Sequence, residues 1–121
     1  MSIGQVVRES GLSRDTVRFY ERQGLIASTP KQAGTRHYSD YESEVVARLS
    51  FIRGMQNVGF KLREIRDILN EWGNENAVPR EEIARLIEEK LAQTDDKLRH
   101  LEEVRTYLAD KLERLRAQGT A

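Results

Sequence analysis

The 121-residue chain contains no cysteine. Disulfides, thiolate zinc sites, cysteine-ligated iron–sulfur clusters and thiol redox switches are therefore excluded. Proline is almost missing, with only Pro30 and Pro79 to interrupt helices. No apolar run approaches membrane-spanning length, and the first residues lack a signal-peptide core, so the expectation is a cytoplasmic protein without a membrane partner. Phosphate-binding glycine loops and nucleophile–base pairs are also missing, which argues against an enzyme. His100 stands alone on a helical stretch with no second ligand, so no metal and no cofactor is expected. Hydrophobic residues are 38% and charged residues 33% of the chain, a balance that suits elongated helices with solvated faces around a small core.

Net charge is zero, but its distribution is uneven. Residues 1–63 carry ten Lys/Arg against six Asp/Glu, or +4; residues 64–121 carry ten against fourteen, or −4. A basic first half and an acidic second half fit a nucleic-acid-reading head joined to a solvated helical tail.

The most informative stretch is Ser13 to Gly24, SRDTVRFYERQG. Ser13 offers an N-cap oxygen, Asp15 lies near the positive helix end, and Gly24 suits a left-handed stop. Val17 and Tyr20 can turn inward together, leaving Arg14, Arg18 and Arg22 four apart on a neighbouring face. Upstream, Ser2 to Ser10 forms another short helix, with Ser2 and Gln5 as a capping box. Gly11-Leu12-Ser13 is the tight link of a helix-turn-helix, which makes Ser13–Gln23 the helix expected to enter a DNA major groove. Gly4, inside so short a helix, is read as allowing close approach of another backbone.

Ser28-Thr29-Pro30 breaks the helix, and Lys31 to Tyr41 reads as a hairpin turning at Gly34, with Thr35, His37 and Tyr38 suited to a strand. Arg36 and Tyr38 share one strand face, where guanidinium and phenol can clamp a phosphate; a core Tyr38 is the alternative. Ser39 or Asp40 is expected to cap a third helix reaching Asn57, and a fourth runs from Lys61 or Leu62 to Trp72. Trp72 is read as a core residue before it is read as the lid of a ligand pocket.

From Pro79 to about Arg116 the sequence predicts one long helix. Ile87, Leu91, Thr94, Leu98, Leu101, Arg105, Leu108, Leu112 and Leu115 follow alternating steps of four and three, a heptad seam interrupted by polar Thr94 and Arg105. Such a stripe needs a partner, and the simplest is a second copy. The acidic pairs Glu81-Glu82, Glu88-Glu89, Asp95-Asp96 and Glu102-Glu103 recur every seven residues, marking an outer face that reads as solubility and interhelix charge pairing.

Taken together, Arg18 to Leu25 (RFYERQGL), Gly34 to Tyr38 (GTRHY), Gly59 to Ile65 (GFKLREI) and the long last helix resemble the MerR family of bacterial transcriptional regulators over most of the chain. The resemblance implies a mainly α fold, a winged helix-turn-helix head followed by a long coiled-coil dimerisation helix. Its units would be a DNA-binding domain over 1–70, a linker over 71–78, the dimerisation helix over 79–116 and a tail over 117–121. It also implies an antiparallel homodimer that bends and untwists double-stranded promoter DNA and works with RNA polymerase. The DNA-binding residues would be Arg14, Asp15, Thr16, Arg18, Phe19, Tyr20, Arg36, His37, Tyr38 and Lys61. Arg14, Asp15 and Thr16 occupy the end that enters the groove and are the candidates for base readout. Phe19 stands where many members carry tyrosine and so lacks that hydroxyl. Ile87, Leu91, Leu98, Leu101, Leu108, Leu112 and Leu115 would hold the dimer. The sensor cysteines of metal- and redox-responsive members are missing, so no residue identifies an effector. The rival reading is a MerR-like helix-turn-helix adaptor that binds a protein partner; the clustered arginines argue against it.

Overall fold

The computed structural model describes residues 1–119 and divides into two units, Met1–Pro79 and the chain from Arg80 onward. The first unit is ordered as α1 (Ile3–Ser10), α2 (Arg14–Arg22), β1 (Thr29–Ala33), β2 (Arg36–Asp40), α3 (Val45–Asn57), α4 (Leu62–Trp72) and a 3-10 turn at Glu75–Ala77. The second is the single helix α5 (Arg80–Gly119).

Local chemistry sets the first two helices. Ser2 Oγ accepts from the Gln5 amide, supplying that half of the capping box. Ser13 Oγ accepts from the Thr16 amide at 3.1 Å, as its N-cap position requires. At the far end of α2, the Leu25 amide donates to the Tyr20 carbonyl and the Gly24 amide to that of Glu21. Gly24 sits at φ 76, so the helix closes in a Schellman motif that a side chain would strain. The motif recurs after α3, where Phe60 donates to Met55 and Gly59 to Gln56.

Those turns aim the helices at one small core. Val6, Val17, Leu25, Leu49, Ile52 and Ile65 are fully buried, drawn from α1, α2, the segment after α2, α3 and α4. Polar ties brace the packing. Tyr20 donates to Gln56 Oε1 at 2.5 Å, fastening α2 to α3, and Arg66 of α4 donates from Nε to the Gln23 carbonyl at 2.8 Å. Arg48 pairs with Glu75 at 3.1 Å, and Val78 is buried, so the segment expected as a linker carries structure of its own.

The hairpin differs in detail from expectation. Its strands pair antiparallel from Thr29↔Asp40 to Ala33↔Arg36, so it starts two residues before Lys31 and leaves only Gly34 and Thr35 in the turn. Gly34 has φ 62, the positive angle a primed turn demands at its first central residue. Thr35 is thus a turn residue, not a strand residue. Ser39 and Asp40 do not cap α3. They extend β2 opposite Pro30 and Thr29, and Asp40 Oδ1 accepts from the Met1 amino group at 2.9 Å. The third helix starts only at Val45, without a side-chain cap.

α5 begins at Arg80, just after Pro79, and continues three residues past Arg116 to Gly119. Of the expected tail, 117–119 is helical, and 120–121 lie outside the described residues. At 1.5 Å per residue its 40 residues extend about 60 Å. No residue of α5 is buried. The seven apolar seam residues are 48–61% exposed.

Candidate nucleic-acid interface

Helices α1 and α2, together with the hairpin, enclose an open cleft lined by cations from three elements. Arg8 comes from α1, Arg14, Arg18 and Arg22 from α2, and Arg36 from β2, with His37 and Tyr38 beside it. Glu21 is the sole carboxylate in the lining. Five guanidiniums around one acid focus a positive potential into a concave surface, which favours a polyanion.

The spacing follows from the helix. With 100° per residue, burying Val17 and Tyr20 leaves Arg14, Arg18 and Arg22 exposed along the neighbouring face. Gly4 faces two of these cations: a Cβ there would lie at ordinary contact distance, 3.4 Å from Arg14 Nη2 and 3.6 Å from Arg8 Nη1. The expected close approach of another backbone is not there; the three atoms nearest that position all belong to side chains. Beneath them, the Tyr41 phenol is pushed up to about 12 by burial and then by the Glu21 carboxylate, with Ser28 and Arg18 opposing. Glu21 Oε1 is buried and has no hydrogen-bond partner among the described residues. This acid therefore serves the floor of the cleft, close enough to Tyr41 to act on its phenol.

The residues expected to meet DNA separate into groups. Arg14, Arg18, Arg36, His37 and Tyr38 line the cleft together. Asp15 and Phe19 lie outside its lining but are exposed on α2, with the Phe19 ring 5.7 Å from that of Tyr20. Thr16 is half-buried, and its hydroxyl is 2.8 Å from Ser13 Oγ, which leaves the methyl as its remaining contact group. Tyr20 is a correction. It is 2% exposed and its hydroxyl is committed to Gln56, so it orients α2 from the core instead of reaching a duplex. Lys61 is exposed at the start of α4, where its amide donates to Glu64, away from the cleft lining. Arg8 was missed. Its one signal was the four-residue step from Gly4, which puts both on one face of α1.

Among the described residues, no group of three or more His, Asp or Glu side chains is placed to hold a metal ion. No described helix is long and apolar enough to cross a membrane.

A helix-turn-helix, an arginine-bearing second helix and a two-stranded wing define the class as winged helix-turn-helix. Comparison with known proteins makes the assignment narrower. The family profile "MerR HTH family regulatory protein" matches residues 1–72, and a second, "MerR, DNA binding", matches residues 46–118. A homologue of the transcriptional regulator ZntR from Haemophilus influenzae is 31% identical, covering 94% of this chain and 82% of its own. The lead(II)-bound transcription regulator PbrR691 from Ralstonia metallidurans superposes with a TM-score of 0.73 at 29% identity, over 91% of this chain and 83% of that one. The fold is also that of HiNmlR, a MerR family regulator bound to promoter DNA, with a TM-score of 0.52 at 19% identity over 92% and 86% of the two chains. The chain belongs to the MerR family of transcriptional regulators. Its activity is DNA binding in the control of transcription, and its relatives are regulators, not enzymes.

Proposed function

We propose that two copies of the chain pair through α5 and present two arginine-lined clefts to one promoter duplex. The observation that carries the reading is the convergence of Arg8, Arg14, Arg18, Arg22 and Arg36 from α1, α2 and the wing onto one surface. On this reading α2 enters the major groove, with Arg14, Asp15 and Thr16 toward base edges, while Arg18, Arg36 and Tyr38 hold phosphates on either side. Phe19 packs on sugar, and Lys61 and His37 add contacts at the margins. Residues 1–70 work as the DNA-binding unit and 79–116 as the dimerisation unit.

The exposed leucine seam supports the pairing, because an isolated helix with that much apolar surface has every reason to associate. Two heads at fixed separation bind two half-sites, and a stiff rod between them resists straightening of a bent duplex. Bending costs several kcal/mol, offset by the extra contacts the bent form permits. Bending and untwisting of the promoter for RNA polymerase, in the cytoplasm, is the mode of regulation we assign. Binding to a promoter-length duplex should weaken when Arg18→Ala and Arg36→Ala are combined, and the salt dependence should flatten by about one unit of slope per contact removed. Unchanged affinity and slope in the double variant would reject the assigned surface.

A further inference from the structure

The hairpin stands almost free of the helices. Every residue of β1 is exposed, and on β2 only Ser39 and Asp40 are half-buried. Its bearing on α2 is therefore set where the two strands leave the core. Continuing the ladder one step past Thr29↔Asp40 puts Ser28 opposite Tyr41, and Tyr41 is 2% exposed. We infer that Glu21, from α2, holds the Tyr41 phenol at the root of the wing and so fixes the wing against the recognition helix. Glu21 is then a positioning residue that touches no phosphate itself. The inference rests on the binding surface proposed above and names what sets its shape.

Glu21 follows Val17 by four residues and Tyr20 by one, which turns it toward the inner flank of α2. It shares the lining of the cleft with Tyr41, and its Oε1 is buried without a hydrogen-bond partner among the described residues. Burial raises the proton affinity of the Tyr41 phenol first and the Glu21 carboxylate next, while the Ser28 side chain opposes them. One phenol thus lies between the residue that leads into β1 and a side chain of α2. Other ties at the same root lead to the start of α1. The Tyr41 amide donates to the Met1 carbonyl at 2.7 Å, and Asp40 Oδ1 accepts from the Met1 amino group at 2.9 Å. The Glu21 tie is the one that leads to α2.

Charge alone assigns Glu21 the opposite effect. A carboxylate among five guanidiniums weakens the potential that draws a polyanion, so its removal should tighten binding. A carboxylate oxygen buried without a partner also works against stability. A positioning role reverses the first expectation. Without Glu21, the wing loses its tie to α2, and Arg36 and Tyr38 no longer keep their place beside Arg14 and Arg18. Binding then weakens even though the cleft has become more positive. The two accounts differ in sign, which makes them separable.

Affinity of the full chain for a promoter-length duplex, measured over a salt series, reads that sign. Glu21→Ala should weaken binding roughly tenfold and flatten the salt dependence by about one unit of slope, as expected for one lost charge-assisted phosphate contact. Glu21→Gln removes the same charge but keeps an oxygen for the phenol, and should recover most of the loss. Tyr41→Phe changes no charge and should reproduce the loss, with the double variant no weaker than either single one. It carries the same test if unfolding curves show Glu21→Ala to be unfolded. Arg36→Ala should cost less in the Glu21→Ala background than in the unaltered chain, whereas Arg14→Ala should cost the same in both. In an absorbance titration, the phenol that Tyr41→Phe deletes should ionise at lower pH once Glu21 is replaced by alanine. Tighter binding by Glu21→Ala, an equal loss in Glu21→Gln, or an unmoved phenol titration would overturn the role. If Arg36→Ala has no effect even in the unaltered chain, the proposed surface fails. If it has its full effect in both backgrounds, only the positioning role fails.

Discussion

The head and the long helix solve the problem of apolar surface in opposite ways. In the head, fourteen hydrophobic residues from four helices and the connecting segments are buried within one chain. In α5 none is buried, although its leucines are as regularly placed as any in the molecule. The head's side chains meet because glycine turns and caps fold its helices back on one another. α5 has no turn for 40 residues, so its stripe can be covered only by something outside the chain. One unit is thus expected to be stable alone, and the other to gain its stability from association.

Substitutions that strike one side of this contrast should leave the other intact. The largest effect is expected from Leu101→Asp, which puts a carboxylate in the seam. Sedimentation should show a monomer, and duplex affinity should fall by about 10²–10⁴ as the second head loses its tether. The head's denaturant midpoint should not move. Conversely, Ile65→Ala empties a fully buried site and should cost the head about 2–5 kcal/mol in equilibrium unfolding, with self-association of α5 retained. Loss of association with that variant would mean the two units are not energetically separate.

Smaller effects sharpen the account of the head. Ser13→Ala removes the oxygen that caps α2 and should lower stability by about 1 kcal/mol, read as a shift in denaturant midpoint. The Tyr41 phenol is raised from 10.0 to about 12, so the folded head holds that proton more tightly than the unfolded chain does. Its contribution to stability is present below pH 10 and is lost as pH climbs toward 12. Tyr41→Phe should remove that part of the alkaline loss in a pH series of unfolding curves.

What could be read from the sequence was local or periodic. The Ser13 cap, the Gly24 stop and the inward turn of Val17 and Tyr20 each depend on neighbours within one or two turns. The seam of α5 depends only on spacing. The start of α3 was not legible, because Ser39 and Asp40 have the chemistry of helix caps and lose that role to strand pairing and to the Met1 amino group, 39 residues away from Asp40. Tyr20 misled for a similar reason. The resemblance put it among the DNA contacts, but its acceptor, Gln56, is 36 residues distant, and its hydroxyl is a brace between helices. Arg8 stayed hidden because a lone arginine on a short helix carries no pattern until the fold sets it beside Arg14.

The direct measurement is the mass of the full chain by sedimentation, free and on a promoter-length duplex. Two paired heads require a dimer in solution and two chains per duplex. A monomer that binds as one chain per duplex, with affinity equal to that of Leu101→Asp, would contradict the account.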